Sequence, residues 1–234
     1  MNKIKKYYRL LFCIFFSMSF YAKGQDVATL VQKVKSKIDK VNDYKASGKM
    51  KTNVVFLKVP IANIDVYYKR PGRLKIKNEK GFSFIPKGAV NINMSNILSN
   101  GNYTVLDAGA DKIGSTTVRV VKLLPKDDNA DVVLSTLYID ETNLVILRAK
   151  TTTRDNGSYE LEMSYGKYVT FGLPDKIIFS FNTRDYKLPK GVTFDFDDGE
   201  NKKTDEKAKN KKGRVEISFK SYRINEGVED AVFK

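Results

Sequence analysis

The sequence predicts a mainly β protein with helices, its strands arranged as one antiparallel meander. Three observations carry this expectation. Short alternating or continuous apolar runs follow one another from Tyr44 to Ile224, which is how strands read. The segments between them are rich in Gly, Asn and Asp, the residues tight turns select. No crossover helices interleave with the strands, which argues against a parallel α/β sheet.

The chain opens with a segment that is not part of the fold. Lys3, Lys5, Lys6 and Arg9 make a basic start, residues 10–20 are apolar except Ser17 and Ser19, and Ala22-Lys23-Gly24 follows. This is the pattern of a secretory signal peptide over residues 1–24, cleaved before Gln25. The apolar run is about half the ~20 residues that a spanning helix needs. Cys13 is the single cysteine and lies inside this run, so the exported chain has no disulfide, thiol nucleophile or thiolate metal site. No small residue precedes Cys13 as a lipid-modified cysteine would require, so the expected product is a soluble exported protein.

Without Lys3, Lys5, Lys6, Arg9 and Lys23, the 42 basic residues fall to 37 against 27 acidic ones, a net charge of +10. Such a charge favours polyanions, and an exported protein meets anionic lipid more readily than nucleic acid. The basic residues alternate with apolar ones along the strands, as on a solvated sheet face. The 210 residues from Gln25 onward suit one β domain, 25–234.

Residues 26–41 are the clearest helix. Val27, Leu30, Val31, Val34, Ile38 and Val41 form one stripe, Lys33, Lys35, Lys37 and Lys40 fall largely off it, and Asp26 stands at the N-cap. The helix either packs on a sheet or closes the open side of a curved one. Strands are expected at 45–57, 61–70, 74–77, 81–85, 102–106, 116–124, 132–139, 144–153, 159–169, 176–181 and 214–224. Asp155-Asn156-Gly157 is the strongest hairpin signal, because Asn and Gly accept positive φ. Gly109-Ala110-Asp111 with Gly114 reads as a loop. Residues 87–100 place Met94, Ile97 and Leu98 at helical spacing between Pro86 and Gly101, a short helix or loop across the sheet. Residues 195–213 mix both charges with almost no apolar residue and read as a long exposed loop. Its Asp195, Asp197, Asp198 and Glu200 do not reproduce a calcium-loop spacing.

The stretch 61–78 organises the rest. Ile64, Val66 and Tyr68 alternate with Asn63, Asp65 and Tyr67, then Pro71-Gly72 turns the chain into Leu74 and Ile76. Alternation places Arg70 on the apolar face, which is expensive unless it has a partner or stands at a cavity rim.

Histidine is absent, and with it the usual base near neutral pH and the commonest metal ligand. Without histidine or a mature cysteine, Ser-His and Cys-His nucleophiles are impossible. Glu160 and Glu162 alternate beside lysines as surface residues do. No phosphate-cradling glycine motif is present, and no basic-aromatic platform for RNA stands out. The sequence thus argues against an enzyme, and for no metal, no cofactor and no nucleic acid.

Tyr44-Lys45-Ala46 after the helix, Lys69-Arg70-Pro71-Gly72-Arg73-Leu74, and the ending from Phe219 through Tyr222, Asn225, Gly227 and Asp230 to Phe233 resemble the LolA family of periplasmic outer-membrane lipoprotein carriers. The resemblance implies a curved antiparallel sheet, an incomplete β-barrel, closed by the N-terminal helix and a short cover helix. It implies a monomeric periplasmic carrier that takes lipoprotein acyl chains from an inner-membrane releasing complex to an outer-membrane acceptor. Arg70 matches the family's arginine and would latch the cover. The expected cavity lining is Ile64, Val66, Tyr68, Leu74, Ile76, Phe82, Phe84, Met94, Ile97 and Leu98, each of which has an ordinary core role as its alternative. Arg70 has one too, an ion pair at a sheet edge. A lipid- or lipoprotein-sensing module of the same fold and a structural β domain with a solid core are the rival readings.

Overall fold

The computed structural model describes residues 26–53, 61–78, 98, 102–155, 157–182 and 212–233. Its elements are helix α1 (Val27–Ile38) and strands β1 (Asp43–Asn53), β2 (Ala62–Lys69), β3 (Arg73–Asn78), β4 (Tyr103–Ile113), β5 (Thr116–Pro125), β6 (Val132–Asp140), β7 (Val145–Thr153), β8 (Ser158–Ser164), β9 (Lys176–Asn182) and β10 (Lys212–Ile224). Two 3-10 turns, Val169–Phe171 and Asp230–Phe233, complete them. The signal-peptide stretch, the strand expected at 81–85, the predicted cover residues Phe82, Phe84, Met94 and Ile97, and the charged loop 195–213 lie outside the described residues.

All ten strands form one antiparallel sheet in the order β3-β2-β1-β10-β9-β8-β7-β6-β5-β4. The first and last strands of the chain pair with each other, and every other neighbour is consecutive in sequence. Among the described residues the edges β3 and β4 are not paired to one another, so the sheet is an incomplete β-barrel. Period-two alternation sends Val66, Ala46, Ile217, Phe179, Leu161, Ala149, Leu137 and Val121 to one face, where they form one buried core.

Helix α1 fills the open side. The Asp26 carboxylate caps it by accepting from the Ala28 and Thr29 amides at 3.3 and 3.4 Å. Leu30, Val31 and Val34 are buried in the sheet core. The helix runs beside edge strand β4. Its C-terminal end lies against the β2–β3 turn, where Arg70 meets Asp39. It therefore spans from one free edge of the sheet to the other, the second of the two arrangements its pattern allowed.

Three expectations need correction. β2 ends at Lys69, and Arg70 stands in the turn rather than on the apolar face of the strand; Pro71 has no N–H to continue a ladder. Gly109-Ala110-Asp111 is not a loop. β4 continues through it to Ile113 by a bulge between Asp107 and Ala110, with Gly109 at φ 85°, a conformation only glycine enters without strain. The strand expected at 159–169 ends at Ser164, where the Asp175 amide donates to the Ser164 carbonyl at 2.9 Å and closes the excursion through Val169–Phe171.

Candidate functional site

The site is an apolar cavity between the C-terminal end of α1 and the inner face of β2, β3, β1, β10, β9 and β8. Register places its walls in rows. Leu74, Tyr68 and Tyr44 lie side by side across β3, β2 and β1, as do Ile76, Val66 and Ala46, with Tyr222 next on β10. Met163, Ile177 and Ile217 form a third row across β8, β9 and β10. Ile38 and Val41 from the helix end and Leu173 and Pro174 from the loop before β9 close the volume, which is about 60 Å³.

One side of the cavity is a stack of aromatic rings. Tyr44 lies 5.2 Å from Tyr68 and 5.4 Å from Tyr222, and Tyr222 lies 5.0 Å from Phe219 and 4.9 Å from Tyr168. Such tilted and edge-on pairs stabilise by about 0.5–1.5 kcal/mol each beyond burial. The Tyr222 hydroxyl donates to the Pro174 carbonyl at 2.7 Å, and the Tyr168 hydroxyl accepts from the Tyr222 amide at 3.3 Å. Desolvation pushes the Tyr222 and Tyr44 phenols far up, with the neighbouring tyrosines adding to it. The wall therefore carries no charge at any physiological pH.

The Lys69–Arg73 turn joins two of the lining residues, Tyr68 and Leu74. The Arg70 amide donates to the Asn42 carbonyl at 2.9 Å. Its guanidinium Nη1 donates to the Asp39 carbonyl at 2.7 Å, and Nη2 lies 3.5 Å from the Asp39 carboxylate. Asp39 is the C-cap of α1, where unsatisfied carbonyls and the helix dipole favour a cation. Arg70 thus ties the sheet edge to the end of the helix. Its side chain remains 42% exposed, so the tie is accessible to water and its energy is modest.

The same turn grips the C-terminus. Lys69 Nζ donates to the Val228 carbonyl at 2.9 Å and to the Asp230 carboxylate at 2.8 Å. Arg73 Nη2 lies 2.9 Å from that carboxylate, and its guanidinium lies 5.1 Å from the Phe233 ring centre. Hydrogen bonds from Lys69 and Arg73 hold the Asp230 carboxyl below its ordinary value. Asn225, at φ 57°, accepts from the Asn42 amide at 2.7 Å and donates to the Lys40 carbonyl at 2.9 Å. Two of the stretches that carry the family resemblance, 69–74 and the C-terminal ending, far apart in sequence, are therefore one unit around the helix end.

Of the expected lining residues, Val66, Tyr68, Leu74 and Ile76 face the cavity. Ile64 and Leu98 are buried in the core and do not line it. Sequence reasoning missed Tyr44, Tyr222, Phe219 and Ile217. Tyr44, Phe219 and Tyr222 lie in the resembling stretches, but their place beside β2 depends on the β1–β10 pairing. Among the described residues, no group of three or more His, Cys, Asp or Glu is placed to hold a metal ion. No helix among them is long and apolar enough to cross a membrane.

No family model and no curated protein matches the chain. Solved structures do. A DUF1329 family protein from Desulfovibrio piger is similar at a TM-score of 0.57 and 15% identity, over 88% of this chain and 95% of that one. A LolA superfamily protein from Nitrosomonas europaea gives 0.54 and 11%, over 87% and 97%. A putative outer membrane lipoprotein-sorting protein domain from Vibrio parahaemolyticus gives 0.50 and 13%, over 88% and 95%. At such identities the likeness is one of fold, and the fold of this chain is LolA-like.

Proposed function

We propose that this protein is a non-enzymatic periplasmic carrier. It binds the acyl chains of lipoproteins between α1 and the inner face of the sheet and delivers them to the outer membrane. The observation that supports this most is the uncharged, aromatic-walled cavity at the C-terminal end of a helix whose tie to the sheet edge there, Arg70 to Asp39, is solvent-exposed. The likeness of fold to a putative outer membrane lipoprotein-sorting domain points the same way.

The magnitudes favour such a device. The cavity's 60 Å³ is below the ~300–1,000 Å³ of ordinary ligand pockets, so this form is closed and an acyl chain must widen it. Each buried methylene contributes about 0.8 kcal/mol. The charge-assisted hydrogen bond of Arg70 contributes about 1.5–3 kcal/mol when fully buried and less at its actual exposure. A few methylenes therefore offset the latch, and a full chain leaves a surplus for repacking α1. With the helix closed, the apolar wall is hidden, which limits self-association.

The test is extraction of the protein, purified from the periplasm, with organic solvent, followed by mass spectrometry. Co-purified acyl lipid, and displacement of a fluorescent fatty acid by lipopeptide, are expected. Val66→Asp puts a charge on the inner wall and abolishes both. Absence of acyl lipid together with no uptake of the probe overturns the reading.

A further inference from the structure

We propose that the outer face of β1–β3, with the bulged part of β10, docks on an anionic bilayer surface. This goes beyond the acyl-chain reading and does not depend on it. The lysines of this face alternate with the cavity-facing residues along the strands and so point to the opposite side of the sheet, while Phe219 borders both sites.

The excess positive charge of the chain is not evenly spread. On the β7–β9 side the outer-face cations are matched: Arg148 lies 3.0 Å from Glu160 and 3.2 Å from Glu162, and Lys176 lies 2.7 Å from Glu216. On the β1–β3 side, Lys45, Lys49, Lys75 and Lys77 share the outer face with Asp65, whose ion pair is with Lys45 at 3.2 Å. Lys49, Lys77 and Lys220 have no ion pair among the described residues. These three border a groove of about 630 Å³ that also takes in Asp65, Asn63 and Ser47, with Ile64 and Phe219 among its apolar lining, so its rim carries three lysines against one carboxylate.

The groove is built by a backbone irregularity. Ser47 pairs with Ser221 and Gly48 with Phe219, so Lys220 is an extra residue with nothing opposite it. A Cβ at Gly48 would run into the Ser218 carbonyl, which is why glycine stands there. Bulges give up ladder regularity and re-aim a side chain; this one adds a third lysine to the rim. Beside it, the Tyr67 ring has Lys45 Nζ 5.3 Å and Lys77 Nζ 5.4 Å from its centre.

Charge complementarity identifies the occupant. Lysines are compact, hydrated point charges that suit a diffuse layer of anionic headgroups, whereas bidentate grip on one phosphate calls for arginine forks. Among the described residues, no arginine lines this groove. An amphipathic tyrosine between cations matches the headgroup level of a membrane.

The experiment is sedimentation of the chain beginning at Gln25 with phosphatidylcholine vesicles, with and without phosphatidylglycerol. Binding is expected only with phosphatidylglycerol and is released by high salt. The triple variant K49Q/K77Q/K220Q weakens it roughly 100-fold, Lys220→Gln alone about fivefold, and K49R/K77R/K220R retains it. K122Q/K150Q, on the far strands, leaves it unchanged. Equal binding to neutral vesicles, undiminished binding by the folded triple variant, or binding to polyglutamate or DNA but not to vesicles overturns the proposal.

Discussion

Arg70 acts on a backbone atom, and this decides what mutation at each end of its contact does. Its Nη1 donates to the Asp39 carbonyl, while the Asp39 carboxylate is a looser 3.5 Å from Nη2. Arg70→Leu is expected to lower stability by about 1 kcal/mol, discounted for exposure, and to raise affinity for a fluorescent fatty acid about fivefold. Asp39→Asn keeps the carbonyl and changes both far less. A titration in which Arg70→Leu binds no tighter than the parent removes the latch. Tyr222 makes the complementary case inside the cavity. Tyr222→Phe strips the Pro174 carbonyl of its partner and should cost about 1–3 kcal/mol in denaturant unfolding. Neither partner is visible in sequence. The alternation of 64, 66 and 68 placed Arg70 on the apolar face, and the turn at Pro71 carried it off.

The C-terminal segment Asp230–Phe233 is held to β2 and β3 by Lys69 and Arg73, and its anchoring depends on pH. The Asp230 carboxyl is held below 3.8, its ordinary value, by hydrogen bonds from these two cations. A carboxylate with a lowered folded pKa stabilises fully above its unfolded value and loses that contribution as pH falls through the folded one. The protection of the Val232 amide, its exchange rate relative to the free-chain rate at the same pH, should therefore be high at neutral pH and fall in acid below 3.8. Lys69→Gln with Arg73→Gln should give low protection at every pH. Unchanged protection in that variant would mean that Phe233 packing, not charge, holds the segment. At the β1–β10 bulge, Gly48→Ala forces the strands apart and should destabilise by roughly 1–3 kcal/mol, read from the melting transition. Elements with local signals were legible: the Asp26 cap, the one-sided stripe of α1, the hairpin at Gly157 with φ 70°. Bulges were not, because two glycines among many carry no mark of which one faces a carbonyl.

For the whole molecule, an acyl ligand at one hundred times its dissociation constant should stabilise the fold by about 2.7 kcal/mol. That raises the melting temperature by roughly 5–10 °C for a domain of this size, and a scan with and without fatty acid checks it. Sequence alone determined the all-strand rhythm, the antiparallel meander and the amphipathic helix, because period and turn chemistry act over a few residues. It also identified Val66, Tyr68, Leu74 and Ile76 as one apolar face. Tertiary structure alone decided that β1 pairs with β10, that Tyr44 and Tyr222 complete the cavity wall, and that Lys69, Arg73 and Asp230 meet. It also decided that Lys49, Lys77 and Lys220, without an ion pair among the described residues, border one groove. These depend on contacts between residues as far apart as Asn42 and Asn225, and no local period encodes which distant strand will supply the other half of a wall.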